Sequence, residues 1–519
     1  MNGAESLVST LALNDVDVCF TNPGTSEMHF VAALDRVPGP RCVLGLFEGV
    51  VTGAADGYYR MAGRPAATLL HLGPGLGNGL ANLHNAKKAR SGVLNIVGDH
   101  GHDHGRFESP LKSDIEGIAR PVSHWVKSAA SARDVAADGA QAIAATRDGA
   151  LGCIATLVLP ADTAWGEGGD AVKAAPSAAL RAPDADAVRA AAKVLRALGA
   201  RAVVLLGAAG VHERGAALAA AIARKTGCRV LAEFYSPRTP GGRGRTRIER
   251  LPYAVDAALD KLKGTETLVL AGAAEPISFF AYPNKPHQLK PVGCSTLTLV
   301  DPRDDVPVAL QALADEVGAT VAPAPTAAPP VPLDALRSAT ALDAELIGHA
   351  LVALLPEHAI VVDEAVTSGR AFGNRFAAAA RHDWLTVMGG AIGFGLPAAL
   401  GAAIGAPGRH VLALEGDGSA MYTVQALWSI ARESLPVVAV IFANRAYRIL
   451  QSELKGVGAQ VSGPKATQML SLDKPALDWV SIARGHGVPA ASVQTPEQFV
   501  REVQRGFASG GPYLIEALV

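Results

Sequence analysis

The stretch VLALEGDGSAMY, residues 411–422, ends an apolar run on one acid, Asp417, held between two residues without side chains, Gly416 and Gly418. A helix-like pattern runs from Ser419 to about Glu433 and stops short of Pro436. A second apolar run, Val437 to Ala443, then ends on Asn444. In open parallel sheets, ligands bind beyond the carboxyl ends of the strands. A right-handed crossover returns the second strand parallel to the first, so Asp417 and Asn444 are expected at one edge. A carboxylate and an amide oxygen are hard ligands. With a backbone carbonyl, a water and two phosphate oxygens they would complete an octahedral Mg²⁺ site. Gly416 and Gly418 let the backbone approach a diphosphate, and the helix start at Ser419 adds amide donors and a positive dipole end. Asp417 by itself would serve equally well as an N-cap; Asn444 is what favours the metal.

Further groups with chemical potential stand at the ends of other apolar runs. Glu48, in RCVLGLFEGVVTGAADGYYRMAG, ends one run and opens a helix, where a first-turn acid is also favoured by the dipole. His71 closes the run RPAATLLHLG, which places its imidazole at a ligand edge. There it can orient a carboxylate and move protons, or stand as a satisfied histidine at a strand end. His100, His102 and His104 lie in GDHGHDHGRF, on the loop after SGVLNIVGD, and are either proton carriers or solvated loop residues.

These positions require a scaffold of short strands. Continuous apolar runs alternate with Ala-rich helical patterns throughout, which indicates parallel sheets covered on both faces. The stretches 166–186 and 321–332 look like linkers, the second a proline-rich extended spacer. The expected architecture is therefore three α/β domains, over residues 1–170, 186–322 and 338–519, each a parallel sheet with helices on both faces.

The segment EGDGSAMYTVQALWSIARESLPVVAVIFAN, residues 415–444, resembles the thiamine diphosphate motif of the 2-oxo acid decarboxylase and acetolactate synthase superfamily. The resemblance covers essentially the whole chain. It implies a pyrimidine-binding, a middle and a diphosphate-binding domain. It also implies that Asp417, Asn444 and the carbonyl of Ala446 hold Mg²⁺, with Gly416, Gly418 and Ser419 around the diphosphate. Glu48, followed by Ala-Asp-Gly-Tyr, matches the acid that hydrogen-bonds the aminopyrimidine and activates the cofactor. Ile392, in MGGAIGFGLPAALG, matches the bulky residue that bends the cofactor. Thr367 and Ser368, in DEAVTSG, fall where the diphosphate would be bound, or form a simple loop turn.

Within the superfamily, TNPGTSEMHF and LLHLGPGLGNGLANLHNAKKA resemble benzoylformate decarboxylase, with Thr25 in place of a serine and His71 as its active-site histidine. Other positions depart from it. Ala281 stands where a second histidine is expected, and Glu453 replaces a bulky aromatic. Ile449, one helical turn before Glu453, would face the substrate. Together these changes suggest a more polar pocket or a different second proton carrier.

The expected activity is thiamine diphosphate- and Mg²⁺-dependent decarboxylation of a small 2-oxo acid, with which a carboligase side reaction is compatible. The alternative is an acetolactate synthase-like carboligase. FAD is not expected, given the short chain and a decarboxylase-like middle segment. Because the superfamily's activating Glu and metal site come from different subunits, at least a homodimer is implied, and a homotetramer is common.

Bulk properties are consistent with small-molecule chemistry. The 519 residues carry a net charge of −1, giving no electrostatic case for nucleic acid or an anionic membrane. Five scattered cysteines and an acidic, unbasic start suit a cytoplasmic protein without a disulfide framework. The apolar stretch 391–406 is short and rich in glycine, so a buried core element is expected rather than a membrane span. Other functions fit less well. HGHDH is one residue short of the H-x-H-x-D-H dinuclear pattern of metal-dependent hydrolases. GPGLGNG is a lone Gly-rich loop with no well-placed ribose acid beyond Asp99. A protein that merely binds the cofactor would need neither Glu48 nor His71.

Overall fold

The computed structural model describes residues 1–324, 326–336, 339–370, 372–459 and 463–519. Pro325, in the second expected linker, and Ser338, the expected start of the third domain, lie outside the described residues.

The first segment builds β1 (Val18–Asn22), β2 (Arg41–Leu44), helix α1 (Glu48–Ala62), β3 (Ala66–Leu70), helix α2 (Leu72–Ala89), β4 (Val93–Asp99), β5 (Trp125–Ser128) and β6 (Ile154–Pro160). Its strands form one parallel sheet in the order β2-β1-β3-β4-β6-β5. Alternate residues enter different cores. Phe20, Leu70 and Val97 pack on one face, Cys19, Leu69 and Ile96 on the other. This is the pattern that a continuous apolar strand permits and an alternating one does not.

The middle segment contributes β7 (Ala202–Leu206), β8 (Arg229–Ala232), β9 (Arg238–Gly241), β10 (Thr267–Ala271) and β11 (Ser295–Val300). Four of these make a parallel sheet, β8-β7-β10-β11, again with alternating residues in two cores. The exception is β9. It leaves the middle sheet and pairs antiparallel with a strand of the third.

The third segment holds β12 (Ala359–Glu364), β13 (His382–Thr386), helix α3 (Gly395–Gly405), β14 (Val411–Gly416), β15 (Val437–Ala443), helix α4 (Arg448–Gly456), β16 (Ala490–Val493) and β17 (Tyr513–Leu518). The sheet order is β9-β13-β12-β14-β15-β17-β16, parallel except for β9. The architecture is thus three two-faced α/β sheets, the third mixed rather than purely parallel. The glycine-rich stretch over 391–406 is, as expected, a buried core helix, α3. It shares one apolar core with α1 and with inner faces of both the first and third sheets.

Two local expectations change. The helix read from Ser419 to Glu433 is broken into a turn of α-helix at Asp417–Ala420, a 3₁₀ turn at Met421–Thr423 and a helix at Ala426–Arg432. The first linker is extended but not loose: Asn14 Nδ2 donates to the carbonyl of Val172 at 2.9 Å, and Ser6 Oγ donates to that of Gly169 at 2.5 Å. All five cysteines are free. Among the described residues no helix is long and apolar enough to cross a membrane.

Candidate active site

At the carboxyl edge of the first sheet, His71 immediately follows β3 and caps α2. Its Nδ1 lies 2.8 Å from Glu27 Oε2. Glu27 is buried, and the same oxygen accepts the backbone N–H of Gly24 at 2.7 Å. Glu27 therefore fixes the ring orientation and leaves Nε2 as the nitrogen free for chemistry. A Cβ on Gly24 would stand 2.2 Å from the imidazole, so the bare glycine lets the ring lie flat on the backbone beside exposed Thr25. Glu48 opens α1, is 7% exposed, and accepts from Asn78 Nδ2 at 3.0 Å through Oε2. Glu27 was not among the sequence candidates, although it stands two residues beyond Thr25.

The loop histidines gather next to Thr25 rather than at His71. Thr25, His100, His102, His104, Asp162 and Trp165 line a cavity of about 390 Å³. His102 Nδ1 lies 2.9 Å from Asp162 Oδ2, and His100 Nε2 lies 2.9 Å from Ser109 Oγ. Among the described residues no group of three His, Cys, Asp or Glu side chains could hold a metal.

At the carboxyl edge of the third sheet, β14 and β15 are neighbours with Gly416 opposite Phe442, which brings Asp417 and Asn444 to one place as expected. Asp417 is buried; its two oxygens accept the N–H groups of Gly418 at 2.9 Å and Arg445 at 2.6 Å. Burial raises its pKa, and those amide donors pull it back. Asn444 Oδ1 accepts the N–H of Ala446 at 2.9 Å. The expectation for Gly418 needs correcting. A Cβ there would stand 2.4 Å from the Tyr447 ring, so an aromatic neighbour explains this glycine. Around Gly416 the nearest such atom is Ser419 Oγ at 3.3 Å, which leaves the close approach to this residue alone.

Behind this edge lies a second acid pair that the sequence reading passed over. Glu364 and Glu415 end adjacent strands in register. Glu364 accepts three backbone N–H groups, from Gly393, Phe394 and Gly395, each at 3.0 Å. Neither oxygen of buried Glu415 finds a well-formed donor. Burial pushes Glu364 up to about 7 in spite of its amide donors, and burial together with the Glu364 charge holds Glu415 well above the usual carboxylate range. Like charges buried side by side disfavour ionising both, so Glu415 is the one held towards its protonated form. The carboxylate of Glu364 anchors the loop that carries Ile392.

That loop is also held from the first segment. Asn82 Nδ2 donates to the carbonyl of Gly393 at 2.9 Å, and Asn85 Nδ2 to that of Ala391 at 2.7 Å. Thr367 and Ser368 lie in the turn after β12, and Ile449 and Glu453 lie a turn apart on α4. Backbone strain marks the same places. Leu72 after His71, Val366 before Thr367 and Arg445 after Asn444 all have positive φ, at 47°, 49° and 55°. Such strain in non-glycine residues clusters at functional sites. Among the described residues no hydrogen bond or ion pair links Thr25, Glu48 or His71 to Asp417 or Asn444.

The donor set fits a diphosphate-bound divalent cation. One carboxylate, one amide oxygen and a backbone carbonyl leave an octahedral ion needing oxygens from its ligand and water.

Residues 1–116 match the N-terminal TPP binding domain of thiamine pyrophosphate enzymes, and residues 367–517 match their C-terminal TPP binding domain. The chain is 52% identical, over 100% of its length and 99% of the relative, to a Mycobacterium tuberculosis (strain ATCC 25618 / H37Rv) protein provisionally named an acetolactate synthase large subunit. It is 30% identical to the benzoylformate decarboxylase of Pseudomonas aeruginosa, covering 96% of this chain and 95% of that one. Among solved structures it superposes on the thiamine diphosphate-dependent 4-hydroxybenzoylformate decarboxylase of Rhodococcus jostii RHA1 with a TM-score of 0.84 and 26% identity, covering 100% and 99% of the two chains.

Proposed function

The chain belongs to the thiamine pyrophosphate-dependent enzymes, and we propose that it is a Mg²⁺-dependent carbon–carbon lyase that decarboxylates a small 2-oxo acid. The observation that carries this reading is the Glu27–His71 pair beside Glu48, which gives the edge of the first sheet an oriented proton carrier. Thiamine diphosphate, when bound, supplies a nucleophilic carbon and an electron sink that allows a 2-oxo acid to lose CO₂. Asp417, Asn444 and the carbonyl of Ala446 would hold its metal, with Gly416, Ser419, Thr367 and Ser368 around the diphosphate. Ile392 would set the cofactor's bend, and Glu48 would exchange a proton with its pyrimidine.

The remaining chemistry is positioning and proton transfer. Thr25 and His71 would orient the substrate carboxylate, and His71 Nε2 would return a proton to the product carbon. Ile449 and Glu453 would border the substrate. We read the enzyme as a homodimer, or a tetramer built from two, in which each copy completes the other's site. We assign residues 1–170, 186–322 and 338–519 to the pyrimidine-binding, middle and diphosphate-binding domains, in a cytoplasmic enzyme.

Flavin has no place in this reading. Glu233 sits at the crevice between β7 and β10, where its Oε2 lies 2.7 Å from a Cβ built on Gly207. Its Oε1 accepts the N–H of Ala274 at 2.6 Å, and burial raises its pKa to about 7. A dinucleotide pyrophosphate entering such a crevice would meet this acid.

A second reading, acetolactate synthase-like carboligation, draws support from the name of the 52% identical relative. One experiment separates the two. A panel of 2-oxo acids, with and without acceptor aldehydes, is followed for CO₂ and acyloin after adding cofactor and Mg²⁺ to the stripped protein. Cofactor-dependent CO₂ with free aldehyde supports the lyase. Acyloin formed in step with CO₂ supports the ligase, and no CO₂ from any acid sinks both.

A further inference from the structure

The helix that follows the proposed metal loop meets the middle segment through a side-chain bond. Tyr282 Oη donates to Glu453 Oε2 at 2.9 Å. Tyr282 directly follows exposed Ala281 on the loop that also carries Phe279. The ring of Phe279 packs on Tyr253 at 5.6 Å and Tyr235 at 5.9 Å between centroids. Its Cζ lies 2.7 Å from where a Cβ on Gly390 would stand. The aromatic cluster therefore closes onto the loop that presents Ile392, while Glu453 projects from the same face of α4 as Ile449.

The proton inventory of this cluster is one-sided. Burial, the hydrogen bond to Tyr282 and the charge of Glu453 all raise the pKa of Tyr253. Tyr282 is raised too, by burial first and by Glu453, against the hydrogen bond it receives from Tyr253. Both phenols thus keep their protons, and Tyr282 donates its own to Glu453. No ion pair to Glu453 occurs among the described residues. The cation in the cluster, Arg370, lies over the Tyr253 ring at 5.5 Å. Tyr282 takes up Oε2 of Glu453, and among the hydrogen bonds of the described residues none reaches its Oε1, which leaves that oxygen as an acceptor.

We propose that the Tyr282–Glu453 pair makes the far wall of the substrate pocket a hydrogen-bond acceptor. It selects 2-oxo acids whose side chain ends in a donor, such as a hydroxyl or a guanidinium, over the same skeleton ending in carbon. This rests on the 2-oxo acid reading of the site. A site built to bond a donor rejects the analogue lacking it much more strongly than an apolar pocket rejects a lost methylene, because the site's polar group is left unpaired.

The test compares isosteric pairs on the holoenzyme: 4-hydroxybenzoylformate with 4-methylbenzoylformate, and 5-guanidino-2-oxopentanoate with 7-methyl-2-oxooctanoate. Both kcat/KM and direct binding, by ligand-induced shift of the unfolding temperature, are measured. The donor-bearing member is expected to win by about 10-fold or more in at least one pair. Glu453→Leu should bring that ratio to near one, and Glu453→Gln should lose the guanidinium preference while tolerating the hydroxyl. Tyr282→Phe should keep the preference. Equal ratios in the unmodified enzyme, or a preference that survives Glu453→Leu, overturn the proposal. Donor-selective binding without CO₂ release keeps the pair's role and overturns the decarboxylase reading instead.

Discussion

The edges of the first and third sheets treat their acids in opposite ways. In the first, each carboxylate has a side-chain partner: Glu27 the His71 ring, beside the Gly24 amide, and Glu48 the Asn78 amide. In the third they are held by the backbone: Asp417 by two amides and Glu364 by three. Side-chain partners can rotate and titrate, so the first edge is suited to moving protons. Backbone amides cannot, so the third edge is suited to holding an anion and a cation in fixed places. On the proposed reading, the difference divides labour between the halves of one site.

The sharpest way to break that division is to exchange roles. Glu48→Gln is expected to cut turnover about 1,000-fold while thiamine diphosphate affinity, followed by fluorescence quenching, moves little. A matching collapse of affinity would make Glu48 a holding residue like those of the third edge. Asp417→Ala should do the reverse, weakening Mg²⁺-dependent cofactor binding about 100-fold in calorimetric titrations, since one of two charged or polar metal side chains is removed. Unchanged binding would remove the metal from this edge.

His71→Ala should slow decarboxylation about 100-fold, and Glu27→Gln about 10-fold with a displaced kcat pH profile, because Glu27 acts through the ring. A Glu27→Gln variant with an unmoved profile would reduce it to packing. The smallest effect belongs to the opposite end of the third sheet. There buried Asp383 lies 2.9 Å from Arg238 and 2.6 Å from Arg409. Burial opposes ionisation, but the two guanidiniums win and depress its pKa. The stabilisation is then present above the ordinary carboxylate pKa of about 4 and is lost as pH falls through the lower folded value. Asp383→Asn should lower the unfolding temperature by about 2 °C or more at pH 7, and the difference should shrink as pH falls below about 4.

Much of the scaffold was legible because its strands are covered on both faces, which leaves unbroken apolar runs such as AVVLL and VVAVIFA. Asp417 and Asn444 were legible because each ends such a run. What escaped reading depends on partners distant in sequence. Glu364 looks like any acid after a strand until Gly393–Gly395 folds over it, and Glu415 gains meaning from Glu364 across the sheet. Glu27 had a local signal, its bond to Gly24 three residues back, but its worth lies in His71. β9, RTPG, carries no apolar pattern at all and is a strand because β13 offers it an edge.

That tetrapeptide also limits how the protein can be rearranged. Residues 238–241, drawn from the middle of the chain, finish the rim of the third sheet. A gene fusion that carried residues 339–519 alone would leave β13 with a bare row of N–H and C=O groups, a template for strand addition from any passing chain. The three units therefore cannot be shuffled as independent cassettes. Whatever lineage passes on the third unit must pass on the middle one with it, and variation in the middle segment remains answerable to a sheet to which it does not otherwise belong.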